Sequence, residues 1–271
     1  MAVAVVRVIL SPTRSGSTAL LRCFENNPAV SRVYHQPVKS GFRERGVFDY
    51  SFYEGPKVGI HVAKETIGGF DISEAEFSPL PFQPKQPELS IGKWRPSRAT
   101  LARVKPLVVL RDPMQTWASI ERLNIYSDGL SPYYSPFDLF IASYTNVAEF
   151  ALNANAQGLP VLAWTLERIG DDPKARLARL CQLWDIPWSS SMVDWTHPLG
   201  VNTWYSEEAR ERMRVDPRFI RSKESLAAAS RFFYTATNPD GIVKIGDGEV
   251  IRRRLLPLYE QFRRLGEESG D

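Results

Sequence analysis

The sequence feature that most constrains the fold is the stretch VILSPTRSGSTALLRCF, which begins at Val8. An apolar run leads into a short loop of hydroxyl, proline, arginine and glycine residues, and the loop leads directly into a second apolar run with helical spacing. We predict a buried strand from about Ala4 to Leu10 and a helix that begins near Ser17. The first N–H groups of a helix have no acceptors within it, and the helix dipole adds partial positive charge there. The loop therefore predicts an anion site.

The composition is that of a globular protein with a modest basic excess. Its 271 residues, 43% of them apolar, suffice for a full hydrophobic core. The net charge of +3 suits a small anionic ligand and does not indicate nucleic-acid binding, which requires a concentrated basic stripe. Cys23 and Cys181 lie in apolar helical patterns and are expected to be buried thiols of a reducing compartment. With no segment of membrane-spanning length and no signal peptide, we expect a cytoplasmic protein with no membrane partner.

Strands and helices are predicted to alternate along most of the chain. The runs VSRVY, KVGIHV, PLVVL and PVLAW follow the first strand, with helical patterns between and after them. Asp112-Pro113 and Asp172-Pro173 each offer an N-cap followed by a proline at the first helical position. We predict an α/β fold of three layers (α/β/α) with a central, mostly parallel five-stranded sheet, like that of P-loop NTPases, and a helical C-terminal part. Residues 1–266 are expected to form a single domain and residues 267–271 a loose tail.

Two long connections are predicted between these elements. One is the polar and aromatic segment HQPVKSGFRERGVFDYSFYEGP, and the other is the proline-rich stretch from Ser78 to Ser97. Aromatic residues gather in the first of these and in a later loop, YSDGLSPYYSP, where they either line a pocket for a small-molecule acceptor or anchor the loops to the core. They are Phe42, Phe48, Tyr50, Phe52, Tyr53, Tyr126, Tyr133 and Tyr134.

A second motif, VVLRDPMQTWAS, places Arg111 at the end of a strand and Ser119 two turns into the next helix. In a parallel sheet Arg14 and Arg111 would both lie at the carboxyl edge, where open α/β sheets bind ligands. Two basic strand ends suggest a ligand with phosphates at two separated points. The alternatives are an internal ion pair for Arg111 and a hydrogen bond of Ser119 to its own helix backbone. The loop is not a Walker A sequence, because it has one glycine and lacks the Lys-Ser/Thr pair.

These motifs together resemble those of a known family. SPTRSGSTALL resembles the 5′-phosphosulfate loop of the sulfotransferase family, and VVLRDPMQTWAS resembles the 3′-phosphate motif of that family, including the Arg-to-Ser spacing. VLAWTLERIGDDPKARLARLCQLWDIPW is similar to the later strand, acidic turn and helix of the family, so the likeness runs from Val3 to about Trp188. The arginine in the loop is closer to the bacterial and Golgi-type branches. The resemblance implies 3′-phosphoadenosine 5′-phosphosulfate (PAPS) as the donor and no metal ion.

The resemblance also implies which residues would hold the donor. The 3′-phosphate would lie on Arg111 and Ser119. Pre-aimed N–H groups and the Arg14 guanidinium would stabilise the negative charge that builds on the bridging oxygen as it leaves. The residues of the loop that would hold the 5′-phosphosulfate are Thr13, Arg14, Ser15, Gly16, Ser17 and Thr18.

An acceptor hydroxyl must lose a proton as it attacks, and His35 is our candidate for the base. It follows the second strand at the carboxyl edge, near the point where many relatives carry Glu or His. Gln36 stands where some branches have an acid, Glu44 is the nearest alternative base, and His35 could instead cap its strand. Lys64 follows the third strand, where it either reaches the sulfuryl oxygens or is a solvated surface lysine. His61 is expected to be an interior histidine and His197 a loop residue.

The expected function is therefore sulfuryl transfer from PAPS to a hydroxyl, or less favourably an amine, of a small molecule by in-line displacement. The alternatives are a P-loop kinase that uses ATP and a non-catalytic nucleotide-binding relative. The segment NPDGIVKIGDG is a poor match to the late family loop that covers the 3′-phosphate, and Arg252, Arg253 and Arg254 are interpreted as a solvated helix face. The identity of the acceptor and the oligomeric state stay open.

Overall fold

The computed structural model describes residues 5–45, 51–54, 57–67, 98–123, 135–215, 224 and 226–268, and it contains one parallel β-sheet. The strand order across the sheet is β5-β4-β1-β3-β2-β6, and all five pairings are parallel. The strands are β1 (Val5–Pro12), β2 (Val30–His35), β3 (Ile60–Ile67), β4 (Leu107–Leu110), β5 (Leu162–Thr165) and β6 (Thr203–Trp204).

Helices connect the strands and cover the sheet. Those before β5 are α1 (Ser17–Glu25), α2 (Pro37–Arg45), α3 (Ser51–Glu54), α4 (Arg98–Val104), α5 (Pro113–Leu123) and α6 (Pro136–Ala156). Those after β5 are α7 (Leu166–Asp171), α8 (Pro173–Trp184), α9 (Glu207–Val215), α10 (Ile245–Arg254) and α11 (Leu256–Glu268). Within the described residues, no helix has both the length and the apolar character needed to cross a membrane.

The sheet separates two apolar clusters, which explains why β1 is apolar on both faces. Val8 and Leu10 pack on one side with helices α4, α5, α6 and α11, whereas Ile9 packs on the other side with α1 and α8. β1 lies between β4 and β3 in the middle of the sheet, so neither of its faces meets solvent. This arrangement confirms the predicted three-layer α/β fold.

Several predicted helix starts are confirmed at the level of individual hydrogen bonds. α1 begins at Ser17. The Asp112 carboxylate accepts a hydrogen bond from the Gln115 N–H at 2.9 Å, and the Asp172 carboxylate accepts one from the Ala175 N–H at 3.0 Å. Proline occupies the first position of both helices, as predicted.

Two predictions about secondary structure are wrong. The sheet has six strands rather than five, because the two residues of β6 pair with Val33 and Tyr34 of β2. The segment after His35 was expected to be a long connection, yet α2 occupies Pro37–Arg45 and α3 occupies Ser51–Glu54. In addition, α11 runs to Glu268, two residues into the segment predicted to be a loose tail. Residues 269–271 and the stretch from Ser78 to Ser97 lie outside the described part of the chain.

Gly266 provides a test of how tightly α11 packs on the sheet. A Cβ atom at this position would lie 2.4 Å from the carbonyl oxygen of Ala163 in β5. Because a backbone oxygen cannot move aside without disturbing the strand, Gly266→Ala is expected to lower the free energy of unfolding by about 1–3 kcal/mol. The measurement is urea unfolding followed by circular dichroism.

Gly246 in α10 is the matched control for this substitution, since a Cβ atom there meets nothing within 4 Å. Gly246→Ala is expected to leave the stability unchanged or to raise it by less than about 1 kcal/mol through helix propensity. If both variants lose the same amount of unfolding free energy, the close packing of α11 against β5 is contradicted.

Candidate functional site

The loop between β1 and α1 lies at the carboxyl edge of the sheet and has an unusual backbone. Arg14 and Gly16 have φ angles of 64° and 78°, both in the left-handed region. For a residue with a side chain, such as Arg14, this conformation costs on the order of 1–2 kcal/mol, and strain of this kind gathers at functional sites. Turns with left-handed residues direct successive N–H groups to one side and so form concavities that bind anions.

The N-terminus of α1 is left open by its own side chains. Gly16 is the N-cap residue, and no side chain forms a capping hydrogen bond there in the described part of the chain. A Cβ atom on Gly16 would lie 2.5 Å from Leu166 Cδ1 at the start of α7, and the φ angle of 78° is strained for any residue with a side chain, so this position favours glycine. The Ser15 hydroxyl is buried and has no hydrogen-bond partner among the described residues, and Thr13 is also buried. Ser17 Oγ accepts a hydrogen bond from Ser11 Oγ at 2.8 Å, which leaves the Ser17 proton available as a donor.

A hydrogen bond joins the two motifs that are 105 residues apart in sequence. Arg14 Nε donates to Ser119 Oγ at a distance of 3.2 Å. The Ser119 hydroxyl therefore points toward the loop. This position does not support the alternative in which it forms a hydrogen bond to the backbone of its own helix. Because β1 and β4 are neighbours in the sheet, Arg111, the first residue after β4, lies beside the same loop.

Arg111 is held by neutral groups. Its Nη2 donates to Thr237 Oγ1 at 2.8 Å, to the carbonyl of Thr235 at 3.1 Å and to Gln115 Oε1 at 3.3 Å. The guanidinium carbon also lies 5.6 Å from the centre of the Tyr234 ring. Its Nε is buried and has no hydrogen-bond partner among the described residues. Among the described residues, no carboxylate forms an ion pair with Arg111, so the structure does not support the alternative of an internal ion pair.

The electrostatics of the site follow from these contacts. Burial, together with the positive charges of Arg111 and Arg122, lowers the pKa of the Arg14 guanidinium to about 10. Arg122 lies in the last turn of α5, three turns beyond Arg111. The guanidinium of Arg14 is thus repelled by those of Arg111 and Arg122, and an anion bound beside Arg14 would relieve that repulsion.

A network of uncharged and acidic groups behind Arg111 fixes its position. Gln115 Oε1 accepts hydrogen bonds from the Thr237 N–H at 3.1 Å and from the Tyr234 hydroxyl at 2.9 Å. The Glu167 carboxylate accepts from the Asp112 N–H at 2.9 Å and also from the hydroxyls of Tyr234 and Tyr259. The C-terminal residues that reach Arg111 are therefore 234–237, immediately before the segment NPDGIVKIGDG, which matches the late family loop only poorly.

His35 and Lys64 lie side by side on neighbouring strands. They are direct partners in the parallel register of β2 and β3, and strands in a sheet lie about 4.8 Å apart. Both side chains are buried, which excludes the interpretation of Lys64 as a solvated surface lysine. The His35 ring packs against the Tyr205 ring with a centroid distance of 5.1 Å.

A line of polar side chains leads from Lys64 to the anion loop. Lys64 Nζ donates to Thr66 Oγ1 at 3.3 Å, and Thr66 is the register partner of Ser11 in β1. Ser11 in turn bonds to Ser17 in the loop. The structure thus brings Arg14, Ser119 and Arg111 together at one part of the carboxyl edge. It pairs His35 with Lys64 on the face of the sheet that α1 covers.

The remaining sequence candidates occupy structural positions or lie outside the described residues. His61 is buried and bonded to the Val58 carbonyl at 2.8 Å, and burial lowers its pKa, as expected for an interior histidine. His197 is exposed between β5 and β6. Phe52 and Tyr53 pack on each other and on the sheet, so these two aromatics anchor the segment to the core. The side chains of Phe42, Glu44, Phe48, Tyr50, Tyr126, Tyr133 and Tyr134 are not among those described.

Sequence reasoning missed Glu65, a buried carboxyl group next to Lys64 in β3. Burial raises its pKa to about 7, while hydrogen bonds from the N–H groups of Val38 and Lys39 and from the Tyr53 hydroxyl, together with the Lys39 charge, act in the opposite direction. The only sequence signal is an acidic residue inside an otherwise apolar strand pattern, and its register partner, Leu10, belongs to the core. A folded-state pKa above that of the unfolded chain means that the folded state favours protonated Glu65.

This shift predicts a pH-dependent stability with a definite sign. The stabilising effect of protonated Glu65 is fully present below about pH 4.5 and is lost as the pH rises to about 7, so the free energy of unfolding should fall by about 3 kcal/mol across that window. In Glu65→Gln this fall should disappear, since the amide does not ionise. The measurement is urea unfolding of both proteins at several pH values between 4.5 and 8.

Glu260→Gln serves as the control for the pH experiment, because Glu260 lies on the exposed side of α11 in contact with Arg263. It should keep the wild-type dependence on pH. If Glu65→Gln also keeps the wild-type dependence, the ionisation of Glu65 is not the source of it.

Comparison with known proteins finds likenesses among solved structures only. No protein-family model and no curated protein sequence matches the chain. Among solved structures it is similar to mouse sulfotransferase SULT7A1 complexed with PAP (13% identity, 98% of this chain and 88% of that one, TM-score 0.47). It is also similar to the sulfotransferase domain from the Synechococcus PCC 7002 olefin synthase (13%, 100% and 95%, TM-score 0.44) and to the sulfotransferase domain from the curacin biosynthetic pathway (14%, 93% and 98%, TM-score 0.43). All three of these structures are sulfotransferases by name.

Proposed function

We propose that the protein is a sulfotransferase that moves a sulfuryl group from 3′-phosphoadenosine 5′-phosphosulfate to a hydroxyl group of a small molecule. The observation that supports this most directly is the hydrogen bond from Arg14 to Ser119 beside Arg111. It joins the loop that resembles a 5′-phosphosulfate site to the motif that resembles a 3′-phosphate site, so that both ends of one nucleotide can be held in a single place.

The residues of the site fit such a donor chemically. The open N-terminus of α1 and the Ser15 hydroxyl offer uncharged donors, while Arg14, Arg111 and Arg122 supply positive charge that the described residues leave without a carboxylate partner. Guanidinium groups bind phosphoryl and sulfuryl oxygens through two parallel hydrogen bonds. When bound, the donor supplies an activated sulfuryl group whose leaving oxygen gains negative charge.

The residues of the chain would each act at a defined point in the reaction. Arg14 and the loop N–H groups stabilise charge on the leaving oxygen without reorganisation of solvent. Lys64 neutralises charge on the sulfuryl oxygens, and His35 accepts the proton of the acceptor hydroxyl. Their positions in buried strands and in a loop held by α7 keep them rigid, which favours in-line transfer.

A kinase that uses ATP is the second candidate, and its requirements are different. It needs a lysine in the loop and a carboxylate free to position magnesium. The loop carries Arg14 instead, the Asp112 carboxylate caps α5, and the Glu167 carboxylate accepts three hydrogen bonds. Calorimetric titration with adenosine 3′,5′-bisphosphate and with ATP, each with and without magnesium, separates the two candidates. Tight binding of the bisphosphate without magnesium supports the proposal, and preferential binding of magnesium-ATP would overturn it.

The role of Arg111 can be tested by comparing two nucleotides. Arg111→Ala is expected to weaken binding of adenosine 3′,5′-bisphosphate by about 10- to 100-fold, because it removes a charged hydrogen-bond donor from the 3′-phosphate. Binding of adenosine 5′-phosphate, which lacks that phosphate, should change by less than about threefold. Calorimetry with both ligands measures the difference.

Arg122→Ala is the control for this comparison, since Arg122 adds positive charge to the same site from the end of α5. Arg122→Ala should weaken the binding of both nucleotides by a similar small factor, as expected for a charge that acts at a distance. If Arg111→Ala lowers the affinity for both nucleotides equally, Arg111 does not hold the 3′-phosphate.

A further inference from the structure

The turn that follows the candidate base is bound to two consecutive residues of β3. The Gln36 N–H donates to the Lys64 carbonyl at 2.8 Å. The Val38 N–H then donates to Glu65 Oε1 at 2.7 Å and the Lys39 N–H to Glu65 Oε2 at 3.4 Å. The segment from His35 to Lys39 is thereby fixed to the strand that carries Lys64.

The backbone of this turn is strained. Gln36 has a φ angle of 54°, in the left-handed region that side chains other than those of glycine, asparagine and aspartate seldom adopt. Such strain persists only where surrounding contacts determine the conformation more strongly than the local preference does. The contacts on either side of Gln36 are the register pair of His35 with Lys64 and the two hydrogen bonds to Glu65.

The Glu65 carboxyl group is buried among groups that donate hydrogen bonds to it. The N–H groups of Val38 and Lys39 belong to the first turn of α2 and have no acceptor within that helix. The Tyr53 hydroxyl, which is also buried, donates to Glu65 Oε1 at 3.1 Å, and Lys39 Nζ donates to the Thr66 carbonyl at 3.0 Å. Removal of the carboxylate would leave buried donors without an acceptor, which is more costly than the loss of a solvent-exposed hydrogen bond.

We propose that Glu65 is a positioning residue for His35: the oxygens of its carboxyl group hold the start of α2 so that the strained turn keeps the imidazole beside Lys64. The proposal rests on the proposed function, in which His35 accepts the acceptor proton. Because side chains alternate along a strand, Glu65 and Lys64 point to opposite faces of β3. Glu65 therefore acts through the backbone of the turn and does not contact the reacting groups.

The first test follows the imidazole itself and needs no substrate. The sequence has three histidines, so the protein labelled with 15N-histidine gives a simple NMR spectrum in which His35, His61 and His197 are assigned by substitution. Glu65→Ala should shift the His35 ring signals clearly, Glu65→Gln, which keeps one acceptor oxygen, should shift them less, and Tyr53→Phe should shift them least. Unchanged His35 signals in all three folded variants would overturn the proposal.

Asn26→Ala is the matched control, because Asn26 Oδ1 is also a buried oxygen that accepts two backbone N–H groups. These belong to Thr196 and His197, at the opposite end of α1 from the loop. Asn26→Ala should shift the His197 signals and leave those of His35 in place, whereas the Glu65 variants should do the reverse. If Asn26→Ala and Glu65→Ala shift His35 equally, the effect is general loosening and the proposal is wrong.

The second test asks whether the displaced imidazole matters for turnover. Glu65→Gln should lower kcat by about 10-fold, with the KM for the donor changed by less than about twofold, and Tyr53→Phe should lower kcat by a smaller factor. A role confined to stability would leave the kcat of the folded protein unchanged, and that result would overturn the proposal. If wild-type protein fails to bind adenosine 3′,5′-bisphosphate, the proposed function fails instead, and the His35 signals still decide whether Glu65 holds the turn.

Discussion

Arg14→Met is expected to slow sulfuryl transfer by about 100- to 1000-fold and, at the same time, to make the ligand-free protein more stable. The loss of rate follows from removing a charged donor aimed at the developing negative charge. The gain in stability follows from the lowered pKa of Arg14, which means that the folded state disfavours the charged guanidinium. The partial exposure of the side chain and the lost hydrogen bond to Ser119 limit the gain to on the order of 1–2 kcal/mol.

The measurements are single-turnover rates with saturating donor and urea unfolding without ligand. Arg252→Met is the control, because Arg252 is an exposed arginine on α10 outside the site, and it should change neither quantity. In the wild type, adenosine 3′,5′-bisphosphate at 100 times its Kd should raise the free energy of unfolding by about 2.7 kcal/mol. The same ligand concentration should raise the free energy of unfolding of Arg14→Met by less. A variant that turns over at the wild-type rate, or that is less stable than the wild type without ligand, would show that Arg14 is a structural residue.

The parts of the site that could be predicted from sequence are those encoded within a few residues. A buried strand, a polar loop and a helix start are local patterns, so the loop between β1 and α1 and the start of α1 at Ser17 follow directly from VILSPTRSGSTALL. The Asp112 and Asp172 caps are likewise local. The shared edge position of Arg14 and Arg111 also followed from sequence, but only through the assumption of a parallel sheet, which the register of β1 with β4 confirms. The hydrogen bond of Arg14 to Ser119 was not predicted.

The parts that could not be predicted depend on pairings between distant segments. β6 has two residues, too few for any periodicity, and it is a strand only because β2 offers it a free edge. α2 has a weak apolar pattern, and its first turn is held by Glu65, 27 residues away from Val38 in sequence. No local signal joins these residues, since the contact exists only once β2 and β3 are in register.

The same reasoning explains why the residues around Arg111 escaped sequence analysis. Gln115, Tyr234 and Thr237 are ordinary polar residues at their own positions, and they become a network only when the C-terminal part folds over α5. Glu167 was visible as part of the acidic turn, yet its role in holding Asp112, Tyr234 and Tyr259 is a property of three dimensions. Positioning groups are therefore harder to predict than the charged residues that they position.

His35→Ala is expected to lower kcat by at least about 100-fold and to leave the affinity for the donor nucleotide unchanged. General-base catalysis contributes about 10²- to 10⁴-fold, and the buried ring of His35 beside Lys64 is suited to that role. His35→Asn, which keeps a polar side chain without a base, should be as slow as His35→Ala. The measurements are single-turnover rates and calorimetry with adenosine 3′,5′-bisphosphate.

Two further results would distinguish a lost base from a damaged site. Added imidazole should restore part of the activity of His35→Ala, since the substitution opens space beside Tyr205, and it should not help Arg14→Met. His197→Ala, at an exposed position, should behave as wild type. If His35→Ala keeps the wild-type kcat while donor binding is intact, the base is another group, and Glu44 becomes the next residue to substitute. If the wild-type protein binds the bisphosphate tightly but transfers no sulfuryl group to any hydroxyl acceptor, the chain is a nucleotide-binding relative in which His35 has no proton to accept.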